Sequence, residues 1–282
     1  MKNKIELKNI SFVITTFKSE KTIYDCLNSL PAEVKKIVIE NSNNAKLKTD
    51  LEKKYKNIEC YLMEKNLGYG KANNFGISKS NTDYVFILNP DAKLLEHTLK
   101  DLFVALNQED FSIAAPLDTK EKKEFIFNKK NITDVEFVKG FAMILNKKKF
   151  HNKFFDENFF LYLEEIDLCK RIRNENERII LVNTPIHHIG GLSHGNRDDL
   201  EMEKSRNWHW MWSKFYYSKK HRGYFHGIIK TLPNFITAII KILFYSITRN
   251  KQKKIIYKMR LLGLLRSYML KDSCYRPYSS NN

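Results

Sequence analysis

Four stretches put reactive or ligand-binding side chains where the chain must turn. "YVFILNPD" (residues 84–91) runs five apolar, strand-forming residues straight into Asn89, Pro90 and Asp91. Proline fixes the backbone there, so Asp91 sits just past the strand. A carboxylate so placed can ligate a divalent cation, Mg2+ or Mn2+, that bridges the phosphates of a nucleoside diphosphate. An Asx turn that merely starts the next segment is the alternative use of the same residues. "EEID" crowds three carboxylates, Glu164, Glu165 and Asp167, into four positions. Acids at a helix start are stabilised by the backbone dipole, and one with a tuned pKa can instead act as a general base. His187 and His188 follow a strand and precede glycine, so one imidazole can join Asp91 on a metal or touch a phosphate. "NLGYGKANNFGI" (66–77) supplies glycines and amides suited to close approach of backbone to a ligand. It matches neither the G-x-G-x-x-G fingerprint nor a P-loop, which argues against a plain dinucleotide or ATP site.

The elements that must hold these residues alternate. "ISFVITTF" (10–17) reads as a buried strand, with Ser19 capping a helix to about Leu30. "KIVIE" (36–40), a helical pattern over 47–55, "IECYLM" (58–63), a short helix over 72–78 and the strand 84–88 follow. Alternation of this kind predicts parallel β-α-β units in a doubly wound sheet, whose ligands lie beyond the carboxyl ends of the strands. Thr15 and Thr16, Glu40 and Asn41, and Asn89 and Asp91 all fall on that edge. A helix over 97–107 precedes the charged "DTKEKKEFIFNKKN" (118–131), which reads as a hairpin or surface loop. "VEFVKGFAMIL" restores order, a helix starts at about Leu163, and "RIILV" forms a strand ending before Pro185.

With 282 residues and 43% hydrophobic content the chain can bury a sizeable core, which excludes a disordered protein. Its four scattered cysteines, without C-x-x-C spacing or a leading apolar segment, point to a reducing, cytoplasmic setting. The net charge of +17 is concentrated: from Lys204 onward there are 17 Lys and Arg against one acid, Asp272, leaving 32 bases and 31 acids in residues 1–203. This division predicts a charge-balanced domain over 1–203, which carries the candidate reactive residues, and a basic, aromatic, helical region over 204–282. Within the latter, "IIKTLPNFITAIIKILFYSI" (228–247) has spanning length but carries two lysines, a proline and an asparagine. It fits an amphipathic helix on an anionic membrane surface better than a transmembrane span, the alternative being ordinary packed helices.

The ordered series "FVITTFKSE", "IENSNN", "EKNLGYGKANNFGI", "ILNPDA", "GFAMILNKKKF", "FDENFFLYLEEIDLCKRIR" and "HHIGGLS" resembles glycosyltransferase family 2, and most of all its bacterial rhamnosyltransferase-like branch, over about residues 10–193. The resemblance implies a GT-A fold, α/β with a mostly parallel sheet, and a metal-dependent, inverting transferase of the hexosyltransferase class. By the same resemblance Thr15, Phe17 and Glu40 hold the base and ribose, Glu40 replacing the family's usual aspartate, and Asn66, Gly68 and Asn73 surround nucleotide and sugar. Asn89 lies beside them, Asp91 takes the metal position, and His188, or failing that His187, is the candidate second ligand. The base position falls on Glu165, one methylene longer than the family's aspartate, with Asp167 as substitute. The implied donor is dTDP-rhamnose and the acceptor a glycan, lipid-linked in cell-surface polysaccharide synthesis. The protein would then sit in the cytoplasm at the inner face of the membrane. A catalytically silent nucleotide-sugar-binding relative is the alternative, and a nucleic-acid-binding protein the less favoured one; no nucleic-acid partner is expected.

Overall fold

The computed structural model describes residues 4–121, 124–151, 154–190 and 199–278, so Gly191 to Ser193 of the family-like series lie outside the described residues. Two compact units form: Met1–Asp156 with Glu165–Arg197, and Glu157–Glu164 with Asp198–Asn282. The second unit thus takes in a short segment from the middle of the chain, which the linear division at residue 203 leaves in the first.

In the first unit the chain runs β1 (Ile10–Thr16), α1 (Ile23–Asn28), β2 (Lys35–Glu40), α2 (Ala45–Lys54), β3 (Ile58–Leu62), α3 (Tyr69–Ser78) and β4 (Tyr84–Leu88). It continues through β5 (Ala92–Leu94), α4 (Thr98–Leu106), β6 (Ile113–Asp118), β7 (Ile132–Asp134), β8 (Ala142–Asn146), α5 (Glu164–Asn174) and β9 (Ile179–His188). The described strands make one sheet in the order β3-β2-β1-β4-β8-β6-β9-β5, with β7 also on β9. Strands β3, β2, β1 and β4 are parallel, as the alternation predicts. From β4 onward the sheet is mixed: β8 runs antiparallel to both β4 and β6, and β5 and β7 antiparallel to β9.

Both faces of this sheet are buried, which is why its strands read as continuous apolar runs. Phe12, Ile14, Val38, Phe86 and Ile144 enter one core with helices α1, α2 and α4. Val13, Ile37, Val85, Ile87 and Met143 enter the other with α3 and α5. Helix α3 sits close to the sheet because Gly76 has no side chain; a Cβ there would meet Val13 Cγ1 at 2.5 Å.

Several local expectations change. Ser19 does not cap α1: its hydroxyl accepts the Phe17 N–H at 3.0 Å, its carbonyl takes the Thr22 and Ile23 amides, and the helix starts four residues later. Strand β9 does not stop before Pro185. A register shift against β6, from Val182 opposite Pro116 to Pro185 opposite Leu117, bulges the strand, and a bulge tolerates a residue without an N–H. The strand therefore reaches His188.

The second unit holds α6 (Leu200–Arg222), α7 (Tyr224–Ile247) and α8 (Lys251–Tyr268). Asp199 caps α6, accepting the Glu201 and Met202 amides, and Asn250 caps α8 through the Lys253 amide. Helices α6 and α8 cross at Gly263, where an added Cβ would run into the Trp208 carbonyl group. His209 is fully buried, with Nε2 donating to the Tyr275 carbonyl at 2.8 Å and Nδ1 within 3.1 Å of the Ser273 hydroxyl. A carbonyl only accepts, so Nε2 carries the proton, and burial keeps the ring neutral.

Gly263→Ala is expected to cost about 1–3 kcal/mol in urea unfolding, because backbone rather than a flexible side chain must move. Burial lowers the His209 pKa from 6.5 to about 3, so the unfolded chain takes up a proton that the folded chain refuses. That contribution to stability is complete above pH 6.5 and falls by about 1.4 kcal/mol per pH unit below it. His209→Gln, which keeps a donor for the Tyr275 carbonyl, should flatten the slope between pH 6.5 and 5.

Candidate functional site

Asp91 is fixed by two strand pairings. Residues 89–92 close a turn through the Ala92 amide and the Asn89 carbonyl, 3.1 Å apart, and the Asn89 amide donates to the Phe141 carbonyl at 2.8 Å, extending the β4–β8 ladder by one residue. Strand β5 then pairs antiparallel with the last residues of β9, setting Ala92 opposite His188, and the Ile189 amide donates to the Asp91 carbonyl at 3.1 Å. The consequence is a carboxylate 1% exposed with an imidazole beside it, His188 Nε2 lying 3.4 Å from Asp91 Oδ1. The His188 ring stacks flat on Phe141, centroids 4.0 Å apart at 4°. Successive strand residues face opposite ways, so His187 points elsewhere, its Nδ1 3.5 Å from the Thr119 hydroxyl. Of the two histidines, His188 is the one at Asp91.

Two buried polar atoms in this corner have no hydrogen-bond partner, His188 Nε2 and Asn89 Oδ1. Orphaned buried acceptors beside a buried carboxylate are costly unless something with positive charge or donors joins them. Asp91 and His188 are a hard oxygen and an imidazole, a donor pair that suits Mg2+ or Mn2+. Among the described residues no group of three or more His, Cys, Asp or Glu is arranged to hold a metal, so the described residues offer this corner two candidate ligands, Asp91 and His188.

Glu165 is the second residue of α5 and packs against Gly140, where a Cβ would lie 3.4 Å from both its Cβ and Cγ. Gly140 precedes Phe141, so a single turn touches the glutamate on one side and the His188 ring on the other. Tyr69, at the start of α3, ties this turn down by donating to the Gly140 carbonyl at 2.6 Å. By surface area Glu165 is half-buried. Desolvation pushes its pKa up against the lowering effect of the Glu165 and Ile166 amides. Asp167 is different. It is fully buried and ion-paired to Arg171, Nε to Oδ2 at 2.8 Å, while Arg171 also binds the Phe154 carbonyl. This carboxylate is held by arginine in the interior, where it braces α5, an arrangement that leaves Glu165 the more accessible of the two candidate bases.

On the donor side, Thr15 at the end of β1 donates to Asn73 Oδ1 at 3.1 Å, and Asn73 donates to the Tyr69 carbonyl at 3.0 Å. Asn41 donates to Asn66 Oδ1 at 2.9 Å and accepts the Leu67 amide at 2.8 Å, while Asn66 accepts the Gly68 amide at 2.9 Å. Gly68 has φ 81°, a left-handed conformation that glycine adopts without strain, and it starts α3 three residues earlier than the sequence pattern predicts. Phe17 is half-buried just past β1. Glu40 is fully buried, accepting the Asn44 amide at 2.6 Å and the Ser42 hydroxyl at 2.5 Å. Its longer side chain folds back to close the 40–44 turn.

Tyr69, Gly140, Phe141 and Asp118 went unread in the sequence. Asp118, at the end of β6, is joined by Lys139 at 3.2 Å, which also pairs with Glu121 at 2.9 Å. Burial would raise the Asp118 pKa, but the Lys120 amide and then Lys139 outweigh it and hold the group below its ordinary value. These residues, with Phe125, Phe137 and Phe141, line a cavity of about 490 Å3. Lys139 and Phe141 stand on either side of Gly140, so the cavity and Glu165 share one turn.

A GT-A fold with a metal-type acid at the sheet edge is the class that these features define. Residues 11–185 match the family described as "Glycosyl transferase family 2", and the chain belongs to that family. The "Low-salt glycan biosynthesis hexosyltransferase Agl10" of Haloferax volcanii is 25% identical over 199 residues, 61% of this chain and 64% of that one, which is less than two thirds of that relative's length. Among solved structures, S. aureus TarS 1-349 superposes with a TM-score of 0.54 at 14% identity, covering 93% of this chain and 92% of that one. GalNAc-T7, solved with UDP, GalNAc and Mn2+, gives a TM-score of 0.54 at 13% identity over 75% of this chain and 50% of that one. At these identities the structural likenesses carry the fold, which is GT-A.

Glu165→Gln tests the burial of the glutamate apart from any activity. Because the folded chain holds its proton more tightly than the unfolded chain, the charged form costs stability at neutral pH, and that cost disappears below the ordinary value of 4.5. Urea unfolding should find the variant more stable than the wild type at pH 7 and the difference closing toward pH 4.

Proposed function

We propose that this chain is an inverting glycosyltransferase that moves a sugar from a nucleotide-sugar donor to a hydroxyl of a glycan acceptor. The observation that carries the reading is Asp91 with His188 at 3.4 Å, on the turn whose neighbouring Gly140 packs against Glu165. Two neighbours support a nucleotide-sugar donor: TarS 1-349 has also been solved in complex with UDP-GlcNAc, and GalNAc-T7 with UDP, GalNAc and Mn2+. The rhamnosyltransferase-like motifs favour dTDP-rhamnose, with the acceptor lipid-linked and the protein at the cytoplasmic face of the membrane.

Asp91 and His188 would hold Mg2+ or Mn2+, whose positive charge favours departure of the nucleoside diphosphate. Thr15, Asn66, Gly68 and Asn73 shape the loop on which the donor lies, and the glycine lets backbone approach it closely. The cavity beside Gly140 offers phenylalanine rings for the apolar faces of sugars, and Asp118, Glu121 and Lys139 for their hydroxyls. Glu165 accepts the acceptor's hydroxyl proton, and desolvation, which raises its pKa, makes its carboxylate a stronger base. The freed oxygen attacks the anomeric carbon from the side opposite the diphosphate, and the bond from that carbon to the diphosphate oxygen breaks, inverting the centre.

Nucleoside diphosphate release from dTDP-rhamnose, UDP-GlcNAc and UDP-GalNAc, with Mn2+ or with chelator, tests this. Release should depend on metal and vanish in Asp91→Ala, and Glu165→Gln should lower transfer by about 10²–10⁴-fold. Turnover indifferent to both substitutions refutes the assignment, and a preference for a UDP-sugar replaces rhamnose as the donor.

A further inference from the structure

We propose that α7 and the corner joining it to α8 form a docking surface for an anionic lipid bilayer, with α7 lying in the interface rather than crossing it. The inference deepens the membrane location proposed above, but it is argued from the second unit alone and its test reads lipid binding apart from sugar transfer.

One face of α7 is committed to its neighbours. Gly227 lies against the Phe215 ring, where a Cβ would come within 2.8 Å. The Thr231 hydroxyl is 2.9 Å from that of Tyr268, Lys214 Nζ donates to Asn234 Oδ1 at 2.7 Å, and Ala238 is 1% exposed. The other face is apolar from end to end and uncovered: Phe225, Ile229, Ile236, Ile240, Leu243 and Ile247 are each between 49% and 83% exposed. Their spacing by three, four or seven residues makes a single stripe along a helix of 24 residues. A contiguous apolar stripe of that length in water marks an interaction surface.

Charge decides the occupant. No Asp or Glu occurs from Lys204 to Lys271. Where the stripe ends at Ile247, the chain turns into Arg249, Lys251, Lys253 and Lys254, all exposed. Lys241 lies 5.5 Å from the Phe244 ring centre and Lys253 5.6 Å from that of Tyr245, so ammonium groups ring the apolar tip. An apolar face flanked by lysine and aromatic rings matches the boundary between acyl chains and anionic headgroups. A second copy of the chain would bring two basic corners together, and a nucleic acid would leave the stripe in water. Although α7 is long and apolar enough to span, Lys230 and Lys241 lie within it, and its inner face is hydrogen-bonded to Lys214 and Tyr268. Crossing the bilayer would take those groups into hydrocarbon.

Flotation of the full chain with vesicles of phosphatidylcholine, alone or with a quarter phosphatidylglycerol, tests the surface. The wild type should bind the anionic vesicles at least about tenfold better, lose part of that preference in 0.5 M salt, and be released by alkaline carbonate. Ile236→Asp with Ile240→Asp should lower binding about tenfold or more, and Lys251→Glu with Lys253→Glu and Lys254→Glu should remove the preference for anionic lipid. Both variants change only exposed residues, so melting temperature and sugar-nucleotide turnover in solution should stay as in the wild type. Binding unchanged by the aspartate pair, no flotation at all, or resistance to carbonate overturns the proposal. So does a dimer, seen by light scattering, that the aspartate pair dissolves.

Discussion

A carboxylate with 1% of its surface exposed must be given charge or donors by its neighbours, and for Asp91 the provider is the pairing of β5 with the end of β9. That pairing is three residues long, yet it fixes which histidine stands at the acid, ties the turn after β4 to the end of β9 through the Ile189 amide, and leaves His188 Nε2 and Asn89 Oδ1 buried without partners. It exists only because a bulge carries β9 past Pro185. Without the bulge His188 would be in a loop, and Asp91 would be a turn-forming aspartate and nothing more.

The same corner is joined to Glu165 by backbone rather than by side-chain chemistry. Asn89 holds the Phe141 carbonyl, Tyr69 holds the Gly140 carbonyl, and Gly140 lies on Glu165. Three parts of the site far apart in sequence therefore converge on one glycine-phenylalanine step. A rigid arrangement of this kind is what proton transfer and sugar transfer demand, since misplacement by about 1 Å can cost roughly a hundredfold in rate.

The entry into α5 shows a cost accepted for position. Tyr162 and Leu163 take left-handed backbone angles, φ 72° and 69°, although neither is glycine. Such residues cost of order 1–3 kcal/mol each and persist where packing over-determines them. Within the second unit the Tyr162 ring meets Trp210 edge-on at 5.5 Å, Phe160 stacks on His209 at 4.4 Å, and Ser213 donates to the Leu161 carbonyl at 2.9 Å. These contacts hold residues 160–162 against α6, which is why a piece from the middle of the chain belongs to the second unit.

The sequence by itself determined the parallel β-α-β half, because strands buried on both faces leave unbroken apolar runs and helices leave a 3.6-residue period. It also placed Thr15, Asn66, Asn73 and Asp91 at strand ends or in the glycine-bearing loop, since turns and proline announce themselves locally, and it located the basic tail by composition alone. Tertiary structure decided the rest. Strand β5 is three residues long and carries no period. The antiparallel reversal at β8 depends on partners far away in the chain, β4 and β6. Asp167 and Glu165 look alike in "EEID" until one is buried against Arg171 and the other against Gly140. That Glu40 closes its own turn, accepting from Ser42 and Asn44, shows only in the folded chain. Local pattern records what a residue prefers, whereas burial and pairing across the sheet set what is left for it to bind.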